Sequence, residues 1–149
     1  MSKLVRKSHN VSVLIYHYVC PARYRRVVFD QKVDQILKDV CLEISTRYDI
    51  EFLENGTDRD HVHFLIQSVP TYSPTKIIRT VKSITAREIF EQAPEVKRKL
   101  WGGKFWTDGY YVKTVSQKGN EETVRKYVQE QGIEEEYQHL HWQQLKMFE

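Results

Sequence analysis

The sequence predicts an α+β fold: a ferredoxin-like (RRM-like) antiparallel sheet with helices on one face and an extra C-terminal helix. Two observations predict it. Segments typical of strands and of helices follow one another as strand, helix, strand, strand, helix, strand, which is the split βαβ plan. The 149 residues, 40% of them hydrophobic, suit one domain with its own core. We find no internal repeat, so residues 1–149 are taken as a single domain.

The first strand and helix lie in the first third of the chain. Residues 11–19 are a strand candidate, followed by a basic loop over residues 21–26. Asp30 is placed as the N-cap of a helix that runs to Arg47. The residues at helical spacing that mark its buried face are Val33, Ile36, Leu37, Val40, Cys41 and Ile44.

A hairpin is predicted next. Residues 50–53 form a short strand, Asn55-Gly56 is a strong hairpin turn signal, and residues 60–69 form the return strand. Side chains alternate along a strand. Those expected to face the helices are Val62, Phe64 and Ile66, and those expected on the opposite face are His61, His63, Leu65 and Gln67.

The second helix begins at Ser73-Pro74, an N-cap followed by proline at the first helical position. Its expected buried residues are Ile77, Ile78, Val81, Ile84 and Ile89, and its expected basic outer face is Lys76, Arg79 and Lys82. An aromatic, glycine-rich loop over residues 101–106 leads to a fourth strand at residues 110–115. Helices are then predicted within residues 119–149, a segment that Gly119 and Gly132 could make mobile.

The charge distribution allows a nucleic-acid partner. The formal net charge is +3, and the basic residues cluster at Lys3, Arg6 and Lys7, at Arg23, Arg25 and Arg26, and at Lys97, Arg98 and Lys99. Such clusters suit a polyanion, although a charge run is more often a solvated face. Cys20 and Cys41 are isolated in apolar stretches, which favours reduced, cytoplasmic residence. The apolar run over residues 11–19 is too short to span a bilayer, so no membrane association is expected.

Two short motifs carry chemistry. His61-Val62-His63 would present both imidazoles on one side of a strand, which is a good grip for a divalent metal ion. Tyr127 and Gln131 are four residues apart on a predicted helix, so a phenol and an amide oxygen would lie on one face. The alternative reading of the first motif is a pair of surface histidines, and that of the second is an ordinary amphipathic helix.

These motifs also resemble a known family over nearly the whole chain. The segments that carry the resemblance are His61-Val62-His63, residues 106–112, Thr114-Val115-Ser116 and residues 127–131. Together they look like the single-tyrosine transposases of the insertion sequence 200/605 family, which are HUH endonucleases. The resemblance implies that Tyr127 is the nucleophile and that His61, His63 and Gln131 bind the metal.

The resemblance further implies a homodimer in a bacterial or archaeal cell, acting on single-stranded DNA hairpins at the ends of an element. Cleavage would leave a 5′-phosphotyrosine and a free 3′-hydroxyl, and the tyrosine helix can complete the partner subunit's site. Neutral imidazole and amide ligands suit Mg²⁺ or Mn²⁺. The candidate DNA-binding residues, basic or aromatic, are Arg6, Lys7, Arg23, Arg25, Arg26, Lys76, Arg79, Lys82, Lys104, Trp106 and Lys113.

Three alternatives stay open at this point. A domesticated relative could cut repeat hairpins without moving its own gene. A noncatalytic module could bind single-stranded nucleic acid, since a ferredoxin-like sheet with aromatic residues also describes RNA readers. A structural or regulatory dimer would show no metal dependence.

Overall fold

The computed structural model describes residues 5–7, 10–101 and 103–115. Its central sheet has four strands: β3 (Leu14–Pro21), β4 (Ile50–Thr57), β5 (His61–Ser68) and β6 (Tyr111–Thr114). They are ordered β4-β5-β3-β6, and every neighbouring pair is antiparallel. A separate two-stranded ribbon, β1 (Val5–Lys7) and β2 (Asn10–Ser12), precedes them.

The helices begin where local sequence predicts. In α1 (Gln31–Arg47) the side chain of Asp30 accepts a hydrogen bond from the Val33 N–H at 2.8 Å. In α2 (Pro74–Gln92) the Ser73 hydroxyl accepts one from the Lys76 N–H at 3.0 Å. These bonds satisfy donors that the first turn of a helix leaves open. A short helix, α3 (Pro94–Lys99), was not predicted.

The main core lies between one face of the sheet and the two long helices. The predicted face of α1 is buried in full, and in α2 Thr85 is buried whereas Ile84 is only partly so. Val62, Phe64 and Ile66 join this core as predicted. The element order and strand order together confirm the ferredoxin-like fold with helices on one face.

The hairpin is confirmed, but the prediction that Asn55-Gly56 forms its turn is wrong. Both residues lie within β4, where Asn55 pairs with Phe64 and Gly56 pairs with His63. The turn lies at residues 58–60, where the Asp58 N–H donates to the His61 carbonyl at 3.0 Å. Tertiary bonds override the local signal there, because the Arg59 and Asp60 carbonyls accept backbone hydrogen bonds from residues 22–29.

The first predicted strand is also divided. Residues 10–12 belong to the ribbon, and β3 begins at Leu14 and continues beyond the predicted end to Pro21. In the part of the chain that the structure describes, no helix is long and apolar enough to cross a membrane.

Candidate metal centre

The face of the sheet opposite the helices carries the two motif histidines. In β5, His61, His63, Leu65 and Gln67 alternate with the core residues, as predicted, and each is at most 1% exposed. Leu65 packs with Ile15 of β3 in a second, small apolar cluster. The histidines therefore lie on a sheltered face, where polar interactions are stronger than in water.

His61 is held by two successive hydrogen bonds, one to Asp60 and one from Arg25 to Asp60. Its Nδ1 atom lies 2.9 Å from Oδ1 of Asp60, and Oδ2 of Asp60 accepts a hydrogen bond from Nε of Arg25 at 3.2 Å. Partial burial alone would raise the pKa of Asp60, but the bond to His61 and the charge of Arg25 hold it below its usual value. A charged Asp60 keeps the proton of His61 on Nδ1 and fixes the ring.

His63 contacts a third histidine, His17, which lies outside the sequence motif. Nε2 of His17 lies 2.9 Å from Nδ1 of His63, and the two rings stack with centroids 5.2 Å apart. Burial, with the neighbouring His17 and His61, lowers the pKa of His63 to about 2. His63 is therefore neutral at physiological pH, which is the form that binds metal.

The two rings are candidates to share a metal ion. Their centroids are 5.1 Å apart, and both use Nδ1 for an outer partner, so Nε2 is the nitrogen through which each would bind. Such outer partners are typical of metal-binding histidines. Among the described residues, no group of three His, Cys, Asp or Glu side chains is placed to hold a metal. The predicted third ligand, Gln131, and the predicted nucleophile, Tyr127, lie outside the described residues.

One described tyrosine shares the histidine face. Val19 of β3 pairs with His63 on one side and with Tyr111 of β6 on the other, so all three side chains lie on the same face. Tyr18 lies on the opposite face, where its hydroxyl donates to the Pro74 carbonyl at 2.8 Å and burial raises its pKa. Among the described tyrosines, Tyr111 is therefore the alternative nucleophile to compare with Tyr127.

The predicted DNA-binding residues separate into several environments. Arg26, Lys76, Arg79 and Lys104 are exposed, and Arg23, Arg25 and Lys113 are partly buried. The backbones of Arg6 and Lys7 lie on β1. Lys82 points its ammonium into the protein, donating to the carbonyls of Thr107 and Gly109 at 2.6 and 3.1 Å. It therefore anchors the loop before β6.

Trp106 is wrongly assigned to DNA binding. Its ring is 4% exposed, packs against Phe105 with centroids 4.7 Å apart, and donates its indole N–H to the Thr85 hydroxyl at 3.0 Å. A residue buried to this degree does not present its ring to an unpaired base, so Trp106 is a core residue. Trp101, in the same aromatic loop, is 73% exposed.

Sequence reasoning missed His17 and Asp60 as partners of the motif. Asp60 offered a signal, since an acid directly before a histidine pair can orient the first imidazole. His17 offered none, because its contact with His63 depends on the register of β3 against β5, across 46 residues of sequence.

Comparisons with known proteins identify the family of this chain. Residues 10–131 match the model of the family described as IS200-like transposases. The chain is 31% identical over 122 residues to the ISDra2 transposase TnpA of Deinococcus radiodurans, covering 82% of this chain and 86% of that protein. A crystal structure described as a transposase from Deinococcus radiodurans R1 superposes with a TM-score of 0.69 at 28% identity, covering 84% of this chain and 95% of that one.

A more distant structure shares the fold. It is a REP-associated tyrosine transposase bound to a REP hairpin, with a TM-score of 0.54 at 12% identity. The superposition covers 86% of this chain and 68% of the other.

Proposed function

This chain belongs to the family of IS200-like transposases, and we propose that it cuts and rejoins single-stranded DNA through a 5′-phosphotyrosine intermediate. The observation that supports the proposal most is the arrangement of His61 and His63. They are adjacent, buried and each held through Nδ1, which is how a protein prepares imidazoles for a metal.

The proposed ligands are Nε2 of His61, Nε2 of His63 and the side-chain oxygen of Gln131. All are neutral, so Mg²⁺ or Mn²⁺ bound there would supply Lewis acidity to a non-bridging phosphate oxygen. Asp60 and His17 would hold the two rings in place while they bind the metal. The protein thereby positions the scissile phosphate against the nucleophile.

Tyr127 is the proposed nucleophile. Its oxygen attacks the phosphorus as its proton leaves, a phosphorus–oxygen bond to the tyrosine forms, and the bond to the 3′-oxygen breaks. The 3′-oxygen takes up a proton and departs as a free hydroxyl. Attack by a 3′-hydroxyl on the phosphotyrosine reverses these changes, so the energy of the broken bond is kept for rejoining.

The proposed DNA partner is a single-stranded hairpin at an element end, as the family resemblance implies. The exposed basic residues Arg26, Lys76, Arg79 and Lys104 would contact phosphates. We further propose a homodimer in which His61 and His63 of one subunit act with Tyr127 of the other. Gly119 and Gly132, at the ends of the predicted tyrosine helix, favour this arrangement because glycine permits the backbone angles that a hinge needs.

A direct test uses the full-length protein and labelled single-stranded DNA from the flanks of its own gene. With Mn²⁺, we expect a cleaved strand and a covalent protein–DNA species on a denaturing gel, and with chelator we expect neither. Hairpin binding with no covalent species under any metal condition would replace the transposase proposal with a noncatalytic binding module.

A further inference from the structure

An open pocket of about 620 Å³ lies beside the loop that follows β3. The residues that line it are Tyr24, Arg25, Arg26, Val27, Lys99 and Trp101, and we call it the arginine–aromatic pocket. Its volume lies in the range of small-molecule sites. None of its lining side chains is acidic, so it favours an anionic, flat ligand.

The aromatic residues of this pocket are exposed to an unusual degree. The Tyr24 and Trp101 side chains are 55% and 73% exposed, and their ring centroids lie 5.6 Å apart. Their backbones have φ angles of 58° and 56°, in the left-handed region that side chains with a Cβ rarely adopt. Strained residues tend to cluster at ligand-binding sites. Two residues with unusual backbone angles thus carry flat rings that the core does not bury.

Cations accompany both rings. The Arg26 guanidinium lies 4.9 Å from the centre of the Trp101 ring, and that of Arg23 lies 5.0 Å from the centre of the Tyr24 ring. The Lys99 ammonium is exposed and reaches the Val27 carbonyl at 3.3 Å. Aromatic faces next to arginine and lysine are the features that bind unpaired bases and their phosphates.

Two residues, Arg25 and Asp60, connect the pocket to the candidate metal centre. Arg25 lines the pocket, and its Nε atom donates to Asp60, whose other oxygen binds His61. Since Arg25 is paired with Asp60, phosphate contacts in the pocket fall to Arg26 and Lys99.

We propose that the arginine–aromatic pocket binds one unpaired nucleotide of the single-stranded arm that flanks the scissile phosphate. The base stacks on Trp101 beside Tyr24, and Arg26 and Lys99 contact its phosphate. This proposal rests on the proposed function for the identity of the strand. It adds a site that holds the arm in register with His61 and His63.

The test uses full-length protein in chelator, so that binding is measured without cleavage. The probe is a DNA hairpin with a single-stranded arm that carries 2-aminopurine at one arm position at a time. We expect fluorescence quenching at one or two arm positions, because a stacked 2-aminopurine loses emission. Trp101→Ala should abolish this quenching and weaken arm binding by about five- to 150-fold, the range for losing one stacked base.

Three comparisons make the result specific. Trp101→Phe keeps a flat ring and should restore most of the quenching and affinity. Leu42→Ala, which removes another exposed apolar side chain, 70% exposed on α1, should behave as wild type. A hairpin whose arm is fully paired should show no Trp101-dependent binding.

The pocket proposal is overturned if Trp101→Ala binds the arm as tightly as wild type and leaves the quenching unchanged. It is also overturned if the paired arm binds with the same dependence on Trp101. Covalent adduct formation by the wild-type protein with Mn²⁺ is scored separately. Trp101-dependent arm binding without any adduct would therefore support the pocket while contradicting the proposed function.

Discussion

The Nε2 atom of His17 lies 2.9 Å from the Nδ1 atom of His63, and both rings are buried on the sheet face opposite the helices. If Nε2 of His63 binds metal, its Nδ1 carries the proton and donates it to His17. The contact is thus compatible with the tautomer that a metal needs. His17 acts through His63 and is a positioning residue.

The first prediction concerns this contact. His17→Phe keeps a ring of similar size but removes the acceptor, so we expect Mn²⁺ affinity to fall by about 10- to 100-fold, as for other outer partners of metal ligands. His17→Gln offers an amide acceptor and should lie closer to wild type. Mn²⁺ titration followed by electron paramagnetic resonance measures the affinity, and thermal unfolding in chelator checks the fold. If His17→Phe binds Mn²⁺ as tightly as wild type, His17 is not a positioning residue.

The second prediction concerns the ligands. His61→Ala and His63→Ala should each abolish metal-dependent cleavage, because each removes one of the two imidazole nitrogens that would hold the ion. Gln131→Ala should weaken cleavage and raise the metal concentration required, since water can replace an amide oxygen. A chelator should reproduce the histidine results with wild-type protein, and full activity in chelator would exclude a catalytic metal.

The positions of α1 and α2 were predictable because their signals are local. The Asp30 cap, the Ser73-Pro74 start and the apolar spacing of α1 all act within a few residues, and they appear as predicted. The alternation in β5 was equally local, so the histidine face was predicted correctly. What adjacent residues determine can be read from the sequence.

Features that depend on distant segments were not predictable. Asn55-Gly56 is a turn signal in isolation, yet pairing with β5 keeps both residues in β4. Trp106 and Trp101 occupy the same aromatic loop, but packing against Phe105 and Thr85 buries Trp106 alone of the two. His17 reaches His63 through strand register alone.

The third prediction is that acid destabilises the protein through His63. The unfolded chain binds a proton at this residue near pH 6.5, whereas in the folded protein burial, His17 and His61 lower the pKa to about 2. The unfolded state therefore holds more protons between these values, and the free energy of unfolding falls as the pH drops below about 6.5. The slope from one such group approaches ~1.4 kcal/mol per pH unit.

Denaturant unfolding in chelator at a series of pH values measures this effect. His63→Gln cannot gain the proton, so its stability should decline less steeply with acid than that of wild type. Leu42→Ala serves as a control that leaves the slope unchanged. Parallel curves for wild type and His63→Gln would contradict the prediction.

The fourth prediction concerns subunit sharing. Tyr127→Phe protein and the His61→Ala, His63→Ala double variant should each be inactive alone. If sites are shared, exchanged heterodimers contain one site with intact histidines from one chain and an intact tyrosine from the other, so cleavage returns. If differential tagging shows that heterodimers form but cleavage does not return, Tyr127 acts at the metal of its own subunit.

The central claim is that Tyr127 attacks phosphate at the metal held by His61 and His63. Its most direct measurement is mass spectrometry of the peptide that carries the DNA adduct after wild-type protein reacts with a single-stranded substrate and Mn²⁺. We predict the phosphodiester on Tyr127, no adduct in Tyr127→Phe with hairpin binding retained, and a normal adduct in Tyr111→Phe, the tyrosine that shares the histidine face. An adduct that maps to Tyr111, or that persists in Tyr127→Phe, would contradict the claim.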